Sequence, residues 1–464
     1  MTFPLPSPPP AEKLSLAAAL GSARETRALV AGAGAVRETA GVFAAQFPGH
    51  RAVVVADPHT LALAGTAIDA ALRAAGIGTE PPVVLADPAL YAEWKFVAEV
   101  ETALRPHAAI PIAVGAGTVN DLVKLAAHRL GREGYLCVAT AASMDGYTAF
   151  GASITFEGAK QTFNCPAPRA VIADLDLIAR APAEMTASGY ADLLAKVTAG
   201  ADWILADALG AEAIDPRAWS IVQGGLRDAL ADPAGARAGL PSAIGPLVEG
   251  LLLGGFAMQW SKSSRPASGA EHQFSHLWDM EHHTHRGDAP SHGFKVGIAT
   301  LAVSALYEHL LALPLDRLDI AACVAAWDEA PAAEARARAL FAGADFIPTA
   351  VGETLAKTLT RPELAAQLER LRIVWPSLRG HLRAQLIPFV EMKRRLRAVG
   401  APVEPEEIGL TRDRLRAGFL RAQHIRRRFT VLDLALRTAT LEPALAALFG
   451  PGGSLAAPPA GTAA

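Results

Sequence analysis

Between residues 27 and 180 short apolar runs, rich in valine, isoleucine and alanine, alternate with longer alanine-rich segments of helical spacing. "RALVAGAG" leads into "AVRETAGVFAAQF", "RAVVVADP" into "TLALAGTAIDAALRAAG", and "PPVVLA" into "AEWKFVAEVETAL", before the strand-like "AIPIAVGAG". A strand buried on both faces reads as a continuous apolar run, and parallel neighbours need a helical crossover between them. The pattern therefore predicts βαβ units, a parallel sheet and ligand loops at the strand C-termini.

After about residue 185 the strand signal fades. "ADLLAKVTAGADWILADALG", "SAIGPLVEGLLLGGFAMQW" and "FKVGIATLAVSALYEHLLAL" all repeat apolar residues at helical spacing. We expect a Rossmann-like unit over residues 21–182, a helical unit over 183–448, and disordered tails at 1–20 and 449–464, where proline, glycine and alanine dominate. In a chain of 464 residues that is 51% hydrophobic, both units can bury a core.

A formal charge of -3 gives no footprint for nucleic acid or an anionic membrane, which leaves small-molecule partners. The basic stretch Arg414 to Arg428 reads as the solvated face of one amphipathic helix. Prolines interrupt the apolar run that a signal peptide requires, so the expected compartment is the cytoplasm. Cys137, Cys165 and Cys323 are scattered and lack metal-binding spacing, so any metal must use nitrogen and oxygen ligands.

Two stretches carry chemistry. In "AIPIAVGAGTVNDLVKLAAHRLG" a strand passes through a tight turn at Gly115, Ala116, Gly117 and Thr118 into a helix beginning with Val119, Asn120 and Asp121. Free N–H groups and the positive end of the helix dipole suit such a turn to a pyrophosphate; the other reading is a plain tight βα turn with Asp121 as an early-helix charge. Asp57, at the end of "RAVVVAD", either accepts hydrogen bonds from ribose hydroxyls, favouring NAD, or opens an Asp-Pro turn. The small residues Thr140, Ala141, Ala142 and Ser143, followed by Asp145, let backbone approach a ligand closely.

The second stretch, Ser268 to Gly293, holds six of the thirteen histidines. His272 and His276 share a helical face at i, i+4, and His292 opens the next helix. Asp192 lies among apolar neighbours, where an unpaired charge is costly, so a cationic partner is expected. His282, His283 and His285 read as a polar loop.

Taken in order, "GAGTVNDLVK", "TAASMDGY", "ADLLAK", "SGAEHQFSH" and "SHGFKVG" resemble the bacterial sn-glycerol-1-phosphate dehydrogenase family, within the iron-containing alcohol dehydrogenase superfamily. The resemblance runs over roughly residues 20 to 445. It implies a cleft between a Rossmann-like domain and an all-α C-terminal domain, holding NAD(P) and one divalent metal, with nickel or zinc expected ahead of iron. By this resemblance Asp192, His272 and His292 bind the metal, and Asp145, Asp192 and His276 contact substrate. Asp57, Gly115 to Asp121, Thr140 to Ser143 and Ala149 border the cofactor, although a hydroxyl residue is usual where this chain has Ala149. A homodimer is also implied.

The implied reaction is reversible hydride transfer between NAD(P)H and dihydroxyacetone phosphate, with Asp192 and His276 in catalytic positions. Either His276 or metal-bound water can supply the proton. Lys160, Lys196 and Lys295 are the open candidates for the substrate phosphate, and His285 for an additional ligand. The rivals are a polyol dehydrogenase, a dehydroquinate synthase-like enzyme, and a silent binder of metal and nucleotide.

Overall fold

A computed structural model describes residues 8–157 and 159–457. The strands in chain order are β1 (Ala28–Gly32), β2 (Ala52–Ala56), β3 (Val83–Val84), β4 (Ile110–Gly115), β5 (Leu136–Ala139), β6 (Ala152–Phe156), β7 (Ala159–Phe163) and β8 (Ala170–Asp174). Six form one parallel sheet in the order β1-β8-β5-β4-β2-β3, and β6 and β7 form a separate antiparallel hairpin. From β2 the chain runs outward to β3 on one side and back through β4 and β5 on the other. The strand order therefore reverses between β2 and β4, the position at which open α/β sheets bind ligands.

The four central strands, β8, β5, β4 and β2, are buried on both faces, as their unbroken apolar runs require, while the edge strands β1 and β3 are partly exposed. Along β2, Ala52, Val54 and Ala56 enter a cluster confined to one side of the sheet. Val53 and Val55 enter the cluster that continues into the helical half of the chain. The period-2 alternation of side chains thus ties one face of the sheet to the helices that carry the histidines.

Seven helices matter for the site: α1 (Gly117–Arg129), α2 (Ala183–Leu194), α3 (Lys196–Ala208), α4 (Pro241–Ser261), α5 (Ala270–Met280), α6 (His292–Ala312) and α7 (Arg412–Arg421). α4 and α6 are apolar around most of their circumference because the fold surrounds them. In their most apolar windows 61% and 83% of the residues are buried, as befits central helices of a packed core.

Three sequence expectations change. The N-terminal tail was expected to reach residue 20, but Leu16–Leu20 form a helix capped by Ser15, with Ala19 buried. Next to it, the Gln259 Oε1 accepts from the backbone N–H groups of Arg24, Glu25 and Thr26. At the other end Leu455 is buried against the core and its N–H bonds to the Leu448 carbonyl at 2.9 Å. Residues 1–7 and 458–464 of the expected tails lie outside the described residues.

The stretch "ADLLAKVTAGADWILADALG" is helical, as its spacing predicts, but not continuous: α2 and α3 meet at Ala195. Nor is Arg414 to Arg428 one solvated helix: α7 stops at Arg421, and a 3-10 turn over Ala422–Ile425 leads to extended backbone at Arg426. All four residues of that turn are buried, which no one-sided helix can achieve, and the arginines beyond it face a cavity.

Candidate functional site

A cavity of about 1480 Å³ opens where α1 leaves the sheet and extends to the histidines of α5 and α6. That volume is ample for a dinucleotide beside a small substrate. Gly117, Thr118, Asp121, Ser143, Asp145, Ala149, His272, His276 and His292 all line it.

At the α1 end, Ala116 is the N-cap and supplies no side-chain acceptor, so no side chain caps the positive end of the helix. Gly115 lets the turn close, since a Cβ there would lie 2.6 Å from the Cβ of Val119. Val119, Asn120, Thr140, Ala141 and Ala142 are buried behind the cavity wall. Asn120 Oδ1 accepts from the Tyr135 hydroxyl at 3.0 Å, and its amide donates to Asp121 at 3.1 Å. These residues shape the turn from behind. Asp57 lies outside the lining, and its carboxylate caps the short helix after β2 by accepting from the N–H groups of His59 and Thr60. The structure therefore displays the turn-opening role of Asp57.

At the other end, one ligand atom from each of Asp192, His272 and His292 lies within 4.8 Å of the others. Among the described residues this is the one group of His, Cys, Asp and Glu able to converge on a metal, and His285 is not in it. Helix geometry explains the convergence. α5 places His272 and His276 on one face, with ring centroids 6.3 Å apart. Ser291 caps α6 by accepting from the Phe294 N–H, which fixes His292 as its first residue.

The donor set fits a borderline divalent cation. His272 Nδ1 lies 2.9 Å from the Glu271 carboxylate, so it carries the proton and Nε2 keeps the lone pair that a metal requires. Burial opposes charge on His272, but bonds to Asp192 and Glu271 hold its pKa above the ordinary value. For His292 burial dominates and lowers the pKa to about 3, leaving a neutral ring.

Asp192 has the expected cationic partner. Lys196 Nζ lies 2.7 Å from Asp192 Oδ1 and 2.8 Å from Asp145 Oδ2, with the lysine side chain fully buried. The backbone N–H of Asp145 donates to Asp192 Oδ2 at 3.1 Å. Although burial disfavours its charge, Lys196 and His272 keep the Asp192 carboxyl well below its usual range, whereas burial and the Asp192 charge raise Asp145. Two carboxylates thus share one ammonium, and this deficit of positive charge suits an added cation.

Removing that ammonium with Lys196→Met strands both carboxylates in the interior. We expect a loss of about 3–5 kcal/mol in unfolding free energy for the metal-free protein. A urea transition matching the wild type would show that the pair is not what holds this region.

Other side chains were not resolved by sequence reasoning. Glu271 stands inside the quoted "SGAEHQFSH" and bonds locally to His272 and the Gly269 N–H, yet its bond to Thr198 depends on how α5 and α3 meet. Lys196 and Lys295 were candidates for a phosphate, but both are committed to carboxylates, Lys295 to Asp279. His283 is buried rather than part of an open polar loop, with Nδ1 accepting from Arg414 and Nε2 donating to the Ile408 carbonyl. His285 does line the cavity.

Comparison with known proteins gives a consistent picture. The model of the iron-containing alcohol dehydrogenase family matches residues 30–182. The chain is 35% identical over 258 residues to the glycerol-1-phosphate dehydrogenase, NAD(P)+, of Halalkalibacterium halodurans, a match covering 55% of this chain and 64% of that protein. It is 31% identical over 271 residues to the enzyme of the same name from Geobacillus stearothermophilus, covering 58% of this chain and 67% of that one. The chain thus spans a little under two thirds of the first relative and two thirds of the second. In fold it is similar to a probable glycerol dehydrogenase from Sinorhizobium meliloti, with a TM-score of 0.58 at 18% identity, covering 91% of this chain and 97% of that one. The chain belongs to the glycerol-1-phosphate dehydrogenase family, within the iron-containing alcohol dehydrogenases.

Proposed function

We propose that this protein transfers hydride between NAD(P)H and dihydroxyacetone phosphate, giving sn-glycerol 1-phosphate. The observation that carries this reading is one cavity joining a helix N-terminus free of side-chain caps to the Asp192–His272–His292 cluster, in which Asp192 and His272 are buried. A dinucleotide would lie along Gly117, Thr118 and Ser143, and Asp192, His272 and His292 would hold a divalent metal. When bound there, the nucleotide supplies hydride and the ion supplies Lewis acidity toward the ketone oxygen.

The chain itself orients and insulates. Glu271 fixes the His272 tautomer, and Lys196 anchors Asp192. Burial, with Arg426 next and then the neighbouring histidines, drives the pKa of His276 well below its ordinary value. The ring is therefore neutral at physiological pH, and its Nδ1 is buried without a partner. In this reading His276 offers the substrate an orienting hydrogen bond rather than a charge. Asp145 borders the substrate, and Ala149 leaves the cofactor side without a hydroxyl. Nickel, zinc and ferrous iron all suit two imidazoles and a carboxylate. The proposed setting is a cytoplasmic homodimer.

The test is NADH oxidation by metal-reconstituted protein with dihydroxyacetone phosphate, beside unphosphorylated dihydroxyacetone and a chelator-stripped control. We expect metal-dependent turnover confined to the phosphorylated ketone. Reduction of dihydroxyacetone alone would make this a polyol dehydrogenase. No reduction of either, with metal and nucleotide bound, would favour the lyase or silent-binding readings.

A further inference from the structure

Arg426, Arg427 and Arg428 stand side by side in the cavity wall, and two of them are accounted for. Arg427 pairs with Glu353 at 2.7 Å. Arg428 donates to the Ser268 carbonyl and hydroxyl and to the Ser264 hydroxyl, at 2.7 to 2.9 Å. Arg426 has no ion pair or hydrogen bond among the described residues. Burial lowers its pKa, and the carboxylate whose charge favours it, Glu353, is already held by Arg427.

Lys160, on β7, lines the same cavity. Its Nζ lies 4.9 Å from the centroid of the Tyr91 ring and has no carboxylate within 4.0 Å among the described residues. Asp279, the carboxylate whose charge favours it most, is bonded to Lys295. Both Arg426 and Lys160 depress the basicity of His276, so both act on the end of the cavity that holds the metal cluster.

A desolvated cation without a counter-charge is costly, and a pocket retains two of them only if something anionic offsets that cost. A guanidinium presents paired donors to phosphate oxygens, and an ammonium adds a point charge. We propose that Arg426 and Lys160 form the subsite that receives the phosphate of the ketone substrate, placing the carbonyl beside His276 and the metal ligands. This rests on the ketone-reductase reading above, but the anion site can be tested without it.

The test uses metal-loaded protein and the variants Arg426→Ala, Arg426→Lys and Lys160→Met. The readouts are the affinity for inorganic phosphate by calorimetry, the Kd for NADH, and the ratio of kcat/KM for dihydroxyacetone phosphate to that for dihydroxyacetone. Loss of a charge-assisted contact predicts phosphate affinity and the selectivity ratio each falling about 10- to 100-fold in Arg426→Ala and Lys160→Met, with partial recovery in Arg426→Lys. Unchanged phosphate affinity in both would overturn the proposal. So would a parallel loss of NADH affinity, which would place these cations under the cofactor. If the wild type reduces neither ketone, the functional reading fails, while the calorimetry still decides whether Arg426 and Lys160 hold an anion.

Discussion

Asp192→Asn is expected to abolish metal retention and turnover together while the chain stays folded. Asparagine has almost the same shape as aspartate and retains one acceptor, but it removes the anionic donor from the cluster formed with His272 and His292. Fold retention follows from how charge is shared. Lys196 keeps its contact with Asp145 at 2.8 Å, so the variant leaves one buried cation facing one buried carboxylate. Lys196→Met, in contrast, leaves two carboxylates without a counter-charge. Losing a partner in the outer shell typically lowers metal affinity by about 10- to 100-fold, so loss of a direct ligand should cost at least the upper figure. The checks are metal content after dialysis, turnover, and the urea midpoint. Wild-type metal content in Asp192→Asn would refute the ligand assignment.

The contrast between these variants shows which parts of the site were legible in the sequence. Spacing alone puts His272 and His276 on one face of α5, and Ser291 announces that His292 begins a helix. The apolar surroundings of Asp192 demanded a cation, and Lys196, four residues on, provides it. The alternating composition likewise yields the parallel sheet, because strands buried on both faces must be apolar throughout.

What remained hidden depends on tertiary approach. Arg426 belongs to a run that reads as a helix surface, and only the buried turn at Ala422–Ile425 redirects it into the cavity. The β6–β7 hairpin went unpredicted because "ASITF" and "AKQTF" mix polar and apolar residues without a long apolar run, yet it brings Lys160 into the site. Asp57 had two readings at the sequence level, and its bonds to His59 and Thr60 match the capping role.

Gly293→Ala is expected to damage the metal site by more than its cost to stability. α2 carries Asp192 and α6 begins with His292, so their separation sets the distance between two ligands. That separation is very small: a Cβ on Gly293 would lie 1.9 Å from the Ser188 carbonyl oxygen and 2.7 Å from its hydroxyl. A backbone carbonyl cannot swing aside as a side chain can, and α2 is itself pinned, since a Cβ on Gly189 would fall 2.0 Å from the Ala142 carbonyl oxygen. The added methyl must push the start of α6 away from α2. Overpacking of this kind costs about 1–3 kcal/mol or somewhat more, whereas a constellation of ligands tolerates displacements of only about 0.5 Å. The predicted signature is therefore a loss of metal affinity of at least about 10-fold that exceeds what the loss of stability would suggest. Gly297→Ala, one turn further along α6, is the control: its Cβ would meet the Ala191 Cβ at 3.1 Å, close enough to disturb packing but too mild to move His292. Equal metal affinity in the two variants would mean that the helix seam does not set the ligand geometry.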